Sequence, residues 1–169
     1  RCRELCIDAP KPDLTEWQEL VRNIEACDKE ITIGLVGKYV QLHDAYLSVA
    51  EALHHAGYAI HTKVNIDWID SEELNESNAE EVLGRLNGII VPGGFGDRGI
   101  EGMVLAAEYA RTHKLPYLGI CLGMQIAVIE FARHVAGLAG ACSGEFHDAT
   151  DVKVIDFMPG QSDSVDKIS

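Results

Sequence analysis

Residues 116–123 read PYLGICLG, a cysteine held two positions from a glycine on each side, where an apolar run ends. The spacing small-x-Cys-x-small is that of a nucleophile elbow, a strand-to-helix turn so crowded that side chains are excluded two positions before and after the nucleophile. Such a turn points the Cys121 sulfur outward, and the free N–H groups and positive dipole end of the helix behind it favour the thiolate. A thiolate attacking a carbonyl needs donors for the oxyanion that forms; each is typically worth about 3–4 kcal/mol in the transition state. The stretch PGGFGDRG (92–99) can supply one. Gly93 and Gly94 let the backbone approach a ligand closely, and the Leu122 N–H lies on the other side of the sulfur. Alone, a cysteine is more often a small buried hydrophobe and a glycine pair an ordinary turn. Placed after two successive strands, they point to chemistry.

A thiol nucleophile is normally partnered by a base. None of the seven histidines stands where one is needed. His54 and His55 fall on a helix, His61 in a strand, His113 before a strand and His134 at the end of the elbow helix, while His43 and His147 are loop residues with no carboxylate at a telling offset. No His/Cys/Asp cluster has metal-ligand spacing. The base is expected to lie outside this chain.

The elements that position these residues alternate strand and helix from Glu30 onward. ITIGLVG (31–37) reads as a buried parallel strand. A helix capped by Asp44 and ended by Gly57 follows, then a strand over about residues 59–69, and a helix to about Leu86 opened by a Ser77–Glu80 capping box. GIIVPGG supplies a third strand, and Met103, Ala106, Ala107 and Ala110 mark the next helix. LPYLGI is a fourth strand, Leu122 to about Val135 the elbow helix, and Val152 to about Phe157 a final strand. The order predicts an α/β fold, a doubly wound, mostly parallel sheet with helices on both faces, whose ligands gather beyond the carboxyl ends of the strands.

The 169 residues suffice for about one domain, and no apolar run approaches the ~20 residues of a membrane span, so a soluble protein is expected. A net charge of −13 argues against a nucleic-acid surface. Five scattered cysteines, an odd number without a CxxC pair, suit a reduced setting. The polar start, with a short helix over about residues 14–26, and the tail MPGQSDSVDKIS suggest a segment of a longer protein, whose cut sheet leaves apolar surface partly uncovered.

VPGGFGDRGIEGM followed by PYLGICLGMQ resembles the class I glutamine amidotransferase family. GKYVQLHDAYLSVAEAL upstream and VIEFARHV downstream are similar to its CTP synthase branch. The likeness divides the chain into residues 1–30, similar to a linker and short helix at the end of a synthetase domain, and 31–169, similar to the N-terminal part of the amidotransferase domain. It implies that Cys121 forms a glutamyl thioester, that Gly94 in the oxyanion loop contacts L-glutamine, and that Phe95 borders the pocket. Leu122, Gly123, Met124 and Gln125 would line that pocket, and Glu145 would bind the substrate's α-amino group. In isolation Gln125 reads as an exposed helix residue and Glu145 as part of a solvated loop.

The resemblance further implies no cofactor in this segment, ATP and Mg2+ in a synthetase domain that converts UTP to CTP, GTP as an activator, a homotetramer and a cytoplasmic location. The family's glycine-rich lid, pocket arginine and the strand bearing its His and Glu fall beyond Ser169, so the segment alone is expected to be nearly inactive. Two rival readings share the fold. One is a non-catalytic binding or assembly module; the other is an amidotransferase subunit of another pathway, against which the linker DLTEWQELV speaks.

Overall fold

The apolar run ITIGLVG lies inside the sheet as part of β1 (Lys29–Gly37). The computed structural model describes residues 4–6, 11–146 and 152–158. Strand β2 (Thr62–Asp70) pairs on one side of β1 and β3 (Gly88–Val91) on the other, with β4 (Tyr117–Gly119) beyond β3. All three pairings are parallel, with Leu35 beside both Trp68 and Ile90, and Val91 beside Gly119. The sheet therefore grows one way from β1 to β2 and the other way from β1 to β3. Loops leaving β1 and β3 diverge at this switch point, which opens a crevice at their carboxyl ends.

Adjacent residues of a strand face opposite sides, so a strand covered on both faces reads as one apolar run. Leu35 and Ile90 pack on one side with Val49 and Leu53 of α2 (Leu47–Ala59). Val36, Ile89 and Val91 pack on the other, against α3 (Ala79–Leu83), α4 (Ile100–His113) and α5 (Leu122–His134), with Leu83, Met103, Ile126 and Ile129 at the centre. Burying one such side chain contributes about 1.5–3 kcal/mol. The parallel, doubly covered sheet agrees with the fold expected from the sequence.

Local details differ. Asp44 does not cap α2: it sits inside a 3-10 turn (His43–Tyr46), and Tyr46 takes the cap position without a side-chain cap bond. Gly57 does not end α2, which runs two residues further; a Cβ there would stand 2.7 Å from a Val64 methyl, so the glycine serves close helix–strand packing. β2 starts later than expected because His61 takes a left-handed φ of 53°. The Ser77–Glu80 capping box is not formed. Ser77 donates through both its N–H and its hydroxyl to Asn75 Oδ1, Glu80 accepts from the Tyr109 hydroxyl, and α3 stops at Leu83.

The N-terminal helix α1 spans Thr15–Glu25, within the expected range. The final strand is shorter than expected and leaves the main sheet: β6 (Lys153–Ile155) pairs in parallel with a two-residue β5 (Cys142–Ser143), which the periodicity did not announce. Leu118 in β4, Ile120 beside it, Phe131 on α5 and Phe157 after β6 are exposed. No helix among the described residues is long and apolar enough to cross a membrane.

Candidate active site

The chain leaves β4 at Gly119 and enters α5 at Leu122, so only Ile120 and Cys121 make the turn. Cys121 takes φ 53°, ψ −103°, a conformation that costs a non-glycine residue on the order of 1–3 kcal/mol. The surroundings enforce it. Ile120 N–H donates to Val91 O at 2.9 Å, Gly123 N–H to Ile120 O at 3.0 Å and Met124 N–H to Cys121 O at 3.1 Å. A Cβ on Gly119 would stand 2.5 Å from Met124 N, and one on Gly123 2.8 Å from the Val91 carbonyl carbon, so both positions exclude side chains. The elbow expected from the spacing is formed, and Cys121 is exposed at its tip.

A second bond fastens the elbow from below. The Tyr117 hydroxyl donates to Gly123 O at 2.8 Å, and burial pushes its pKa well above the ordinary phenol value, keeping it a donor. Across the crevice, a Cβ on Gly93 would come 3.7 Å from Cys121 Cβ, and one on Gly94 3.3 Å from a Leu122 methyl. The two turns expected to be neighbours are in contact. Among the described residues, the N–H groups of Gly93, Gly94 and Leu122 donate to no protein acceptor. Three amides without a protein acceptor thus lie on the two turns that meet at an exposed thiol, an arrangement suited to receiving a developing oxyanion.

The remaining sequence-named residues surround this point unequally. Glu145 Oε1 accepts a bond from Gly96 N–H at 3.4 Å, which brings the carboxylate to the edge of the glycine loop. Phe95 is 80% exposed at the loop tip and Met124 is exposed on α5. Gln125 is not the exposed residue its sequence context suggested in isolation: its Oε1 is buried, with no hydrogen-bond partner among the described residues. An unpaired buried amide oxygen costs roughly 1–3 kcal/mol.

Sequence reasoning missed Lys38, the first residue after β1. It is only 4% exposed, and its Nζ donates to Phe95 O at 3.0 Å and to Gly96 O. Burial holds its pKa below the ordinary lysine range, with Glu145 and Asp97 pulling the other way. The signal was available: a lysine directly after the inner strand of a parallel sheet stands at the ligand end of the fold.

Five of the described histidines take side-chain partners elsewhere. His43 stacks on Trp68 at 4.2 Å between centroids, His113 on Tyr109 at 3.9 Å, and His134 Nδ1 lies 3.1 Å from Glu130 Oε1. His134 ends the helix that Cys121 begins, on the order of 18 Å away at 1.5 Å per residue. His147 falls outside the described residues. Among the described residues no group of three His, Cys, Asp or Glu side chains could hold a metal ion.

With this geometry in hand, the chain can be set beside known proteins. The family model described as glutamine amidotransferase class-I matches residues 41–162. The CTP synthase of Bacillus velezensis is 54% identical over 165 residues, covering 98% of this chain and 31% of that protein. The CTP synthase of Clostridium acetobutylicum is 54% identical over 166 residues with the same coverage. The chain thus spans about a third of the length of these relatives. The solved glutaminase domain of Trypanosoma brucei CTPS with bound acivicin superposes with a TM-score of 0.71 at 43% identity, covering 76% of this chain and 50% of that one. A family match over most of the chain and a strained thiol elbow facing a glycine loop lead to one conclusion: the chain belongs to the class-I glutamine amidotransferase family.

Proposed function

We propose that this chain is the glutamine-hydrolysing part of a CTP synthase, with Cys121 as its nucleophile. The observation that carries the proposal is Cys121 itself: an exposed residue at positive φ, with three amides that have no protein acceptor on the turns that meet there. The thiolate attacks the side-chain amide carbon of L-glutamine, the C–S bond forms, and the carbonyl electrons move onto oxygen. That oxyanion is received by the N–H groups of Gly93, Gly94 and Leu122. Collapse of the tetrahedral intermediate breaks the C–N bond and, with a proton from the general acid, releases ammonia. Water then cleaves the glutamyl thioester to glutamate. In the family a histidine supplies and takes these protons.

Leu122, Gly123, Met124, Gln125 and Phe95 would line the glutamine pocket, and Glu145 would hold the substrate's ammonium. The lone Gln125 oxygen supports this, since a buried acceptor without a donor suits a substrate N–H. By resemblance, the ammonia aminates UTP to CTP in a synthetase domain that binds ATP and Mg2+, with residues 1–30 as the connector and GTP as an activator of hydrolysis. A cytoplasmic homotetramer follows from the same resemblance.

Acivicin, a glutamine analogue bound in the Trypanosoma brucei structure, gives the test. Incubated with the full-length polypeptide, it is expected to modify Cys121 and to be blocked by excess glutamine. Modification spread evenly over the five cysteines would count against the proposal.

A further inference from the structure

We propose that Lys38 is a positioning residue for the oxyanion loop, its ammonium gripping the Phe95 and Gly96 carbonyls so that the Gly93–Gly94 backbone stays against the Cys121 elbow. The inference rests on the glutaminase reading and adds to it a residue that touches neither substrate nor reacting atoms.

Lysines are almost never fully buried unless paired. The lysine ion pairs among the described residues are Lys63–Glu30 and Lys153–Asp156, so Lys38, at 4% exposure, has taken two backbone carbonyls instead of a carboxylate. The Phe146 ring, 5.8 Å from Nζ, covers another side of the ammonium. Both carbonyls belong to one short loop, and that loop supplies two of the three amides without a protein acceptor. The Phe95–Gly96 peptide is held from both directions, its carbonyl by Lys38 at 3.0 Å and its N–H by Glu145 at 3.4 Å. The lysine stem adds contact: a Cβ on Gly94 would stand 3.5 Å from Lys38 Cδ.

The grip is anchored in the core. Lys38 follows the last residue of β1, an inner strand, and its N–H donates to the Tyr46 hydroxyl at 3.2 Å. Tyr46 is itself buried. A loop rich in glycine is floppy unless something outside it fixes its peptide planes. Preorganised donors stabilise an oxyanion only if they need not reorient during reaction.

The test uses the full-length natural polypeptide. Lys38→Met is expected to lower kcat for glutamine hydrolysis about 100-fold, the scale of a lost oxyanion donor, with KM changed less than about threefold. Iodoacetamide, which forms no oxyanion, should still alkylate Cys121 at the wild-type rate. Lys38→Arg keeps donors for both carbonyls and is expected to recover kcat to within about tenfold of wild type. Amide exchange over residues 92–99 reads the loop without any turnover and should quicken about tenfold in Lys38→Met.

Wild-type kcat or unchanged loop exchange in a folded Lys38→Met protein overturns the proposal. A fall in iodoacetamide reactivity parallel to kcat also overturns it, because the elbow itself would have moved. Should Lys38→Met fail to fold, Lys38→Arg decides. Turnover within about tenfold with normal loop exchange supports the grip, and a larger loss in a folded protein overturns it. If the wild-type protein hydrolyses no glutamine, the glutaminase reading fails on its own, and loop exchange still tests whether Lys38 holds the loop.

Discussion

Gly123, in the first turn of α5, lies directly against Val91, the last residue of β3, so that a Cβ on the glycine would stand 2.8 Å from the Val91 carbonyl carbon and overlap its oxygen. That carbonyl also accepts the Ile120 N–H bond that closes the elbow. Gly123→Ala must therefore push α5 away from β3 or break the turn. A loss of about 1–3 kcal/mol is expected, the usual cost of overpacking. Acivicin modification of Cys121 should fall with it. Denaturant midpoints and labelling rates measured on the same samples check both, and a Gly123→Ala variant as stable and as reactive as wild type would show that the elbow has slack.

The strain at Cys121 can be read separately from its chemistry. Cys121→Ala removes the thiol but keeps a Cβ at φ 53°, whereas Cys121→Gly removes both. Relief of strain should outweigh the extra chain entropy of glycine, making the glycine variant about 1 kcal/mol more stable than the alanine variant. Neither should react with acivicin at this position. Equal stabilities of the two variants would mean that the turn stores no energy.

How much of this could be read beforehand depends on how local the determining contacts are. The elbow was legible because three residues in a row of five, Gly119, Cys121 and Gly123, carry its whole steric requirement. β1 and α5 were legible from apolar period for a similar reason. The Asp44 cap did not form because the chain turns instead at Tyr46, whose hydroxyl accepts from Lys38 and Tyr39 N–H. The Ser77–Glu80 box did not form because Ser77 bonds its near neighbour Asn75 while the distant Tyr109 takes Glu80. Lys38 escaped notice because its partners stand 57 and 58 residues away. β5 pairs through two residues, too few for any periodicity to register.

Alkaline pH should weaken the fold through three tyrosines. Burial raises the pKa of Tyr46, Tyr109 and Tyr117 above the ordinary value of 10.0, the bond from Tyr109 to Glu80 adding to its shift. Below that value all three are neutral, folded or unfolded, and exert no slope. Above it the unfolded chain loses protons that the folded one keeps, so stability falls by about 1.4 kcal/mol per pH unit for each. Lys38, shifted downward, has the opposite slope, which ends once pH passes the ordinary lysine value near 10.4. Denaturation midpoints taken above about pH 10.5 should therefore fall steeply. Tyr117→Phe should lose about 1 kcal/mol at neutral pH with its bond to Gly123 O, and then show a shallower alkaline slope than wild type. A Tyr117→Phe slope identical to wild type would remove Tyr117 from this account.

At the far end of α5 a buried carboxylate joins α5 to α4. Glu130 is 3% exposed and receives Arg111 from α4 in forked geometry, Nε at 3.0 and 3.1 Å and a terminal guanidinium nitrogen at 2.8 Å, with His134 Nδ1 at 3.1 Å. Coulomb attraction here offsets the cost of taking the carboxylate out of water, so the arrangement matters most when one partner is removed. Arg111→Met should lower the urea midpoint, though by less than the loss of a fully buried pair, because Arg111 is 36% exposed. Adding Glu130→Leu, which removes the stranded charge, should bring the double variant back to within about 1 kcal/mol of wild type. Urea midpoints of the four proteins form the cycle. If Arg111→Met unfolded at the wild-type midpoint, the pair would be behaving as a screened surface contact, and the α4–α5 junction would owe its strength to Met103, Ile126 and Ile129 instead.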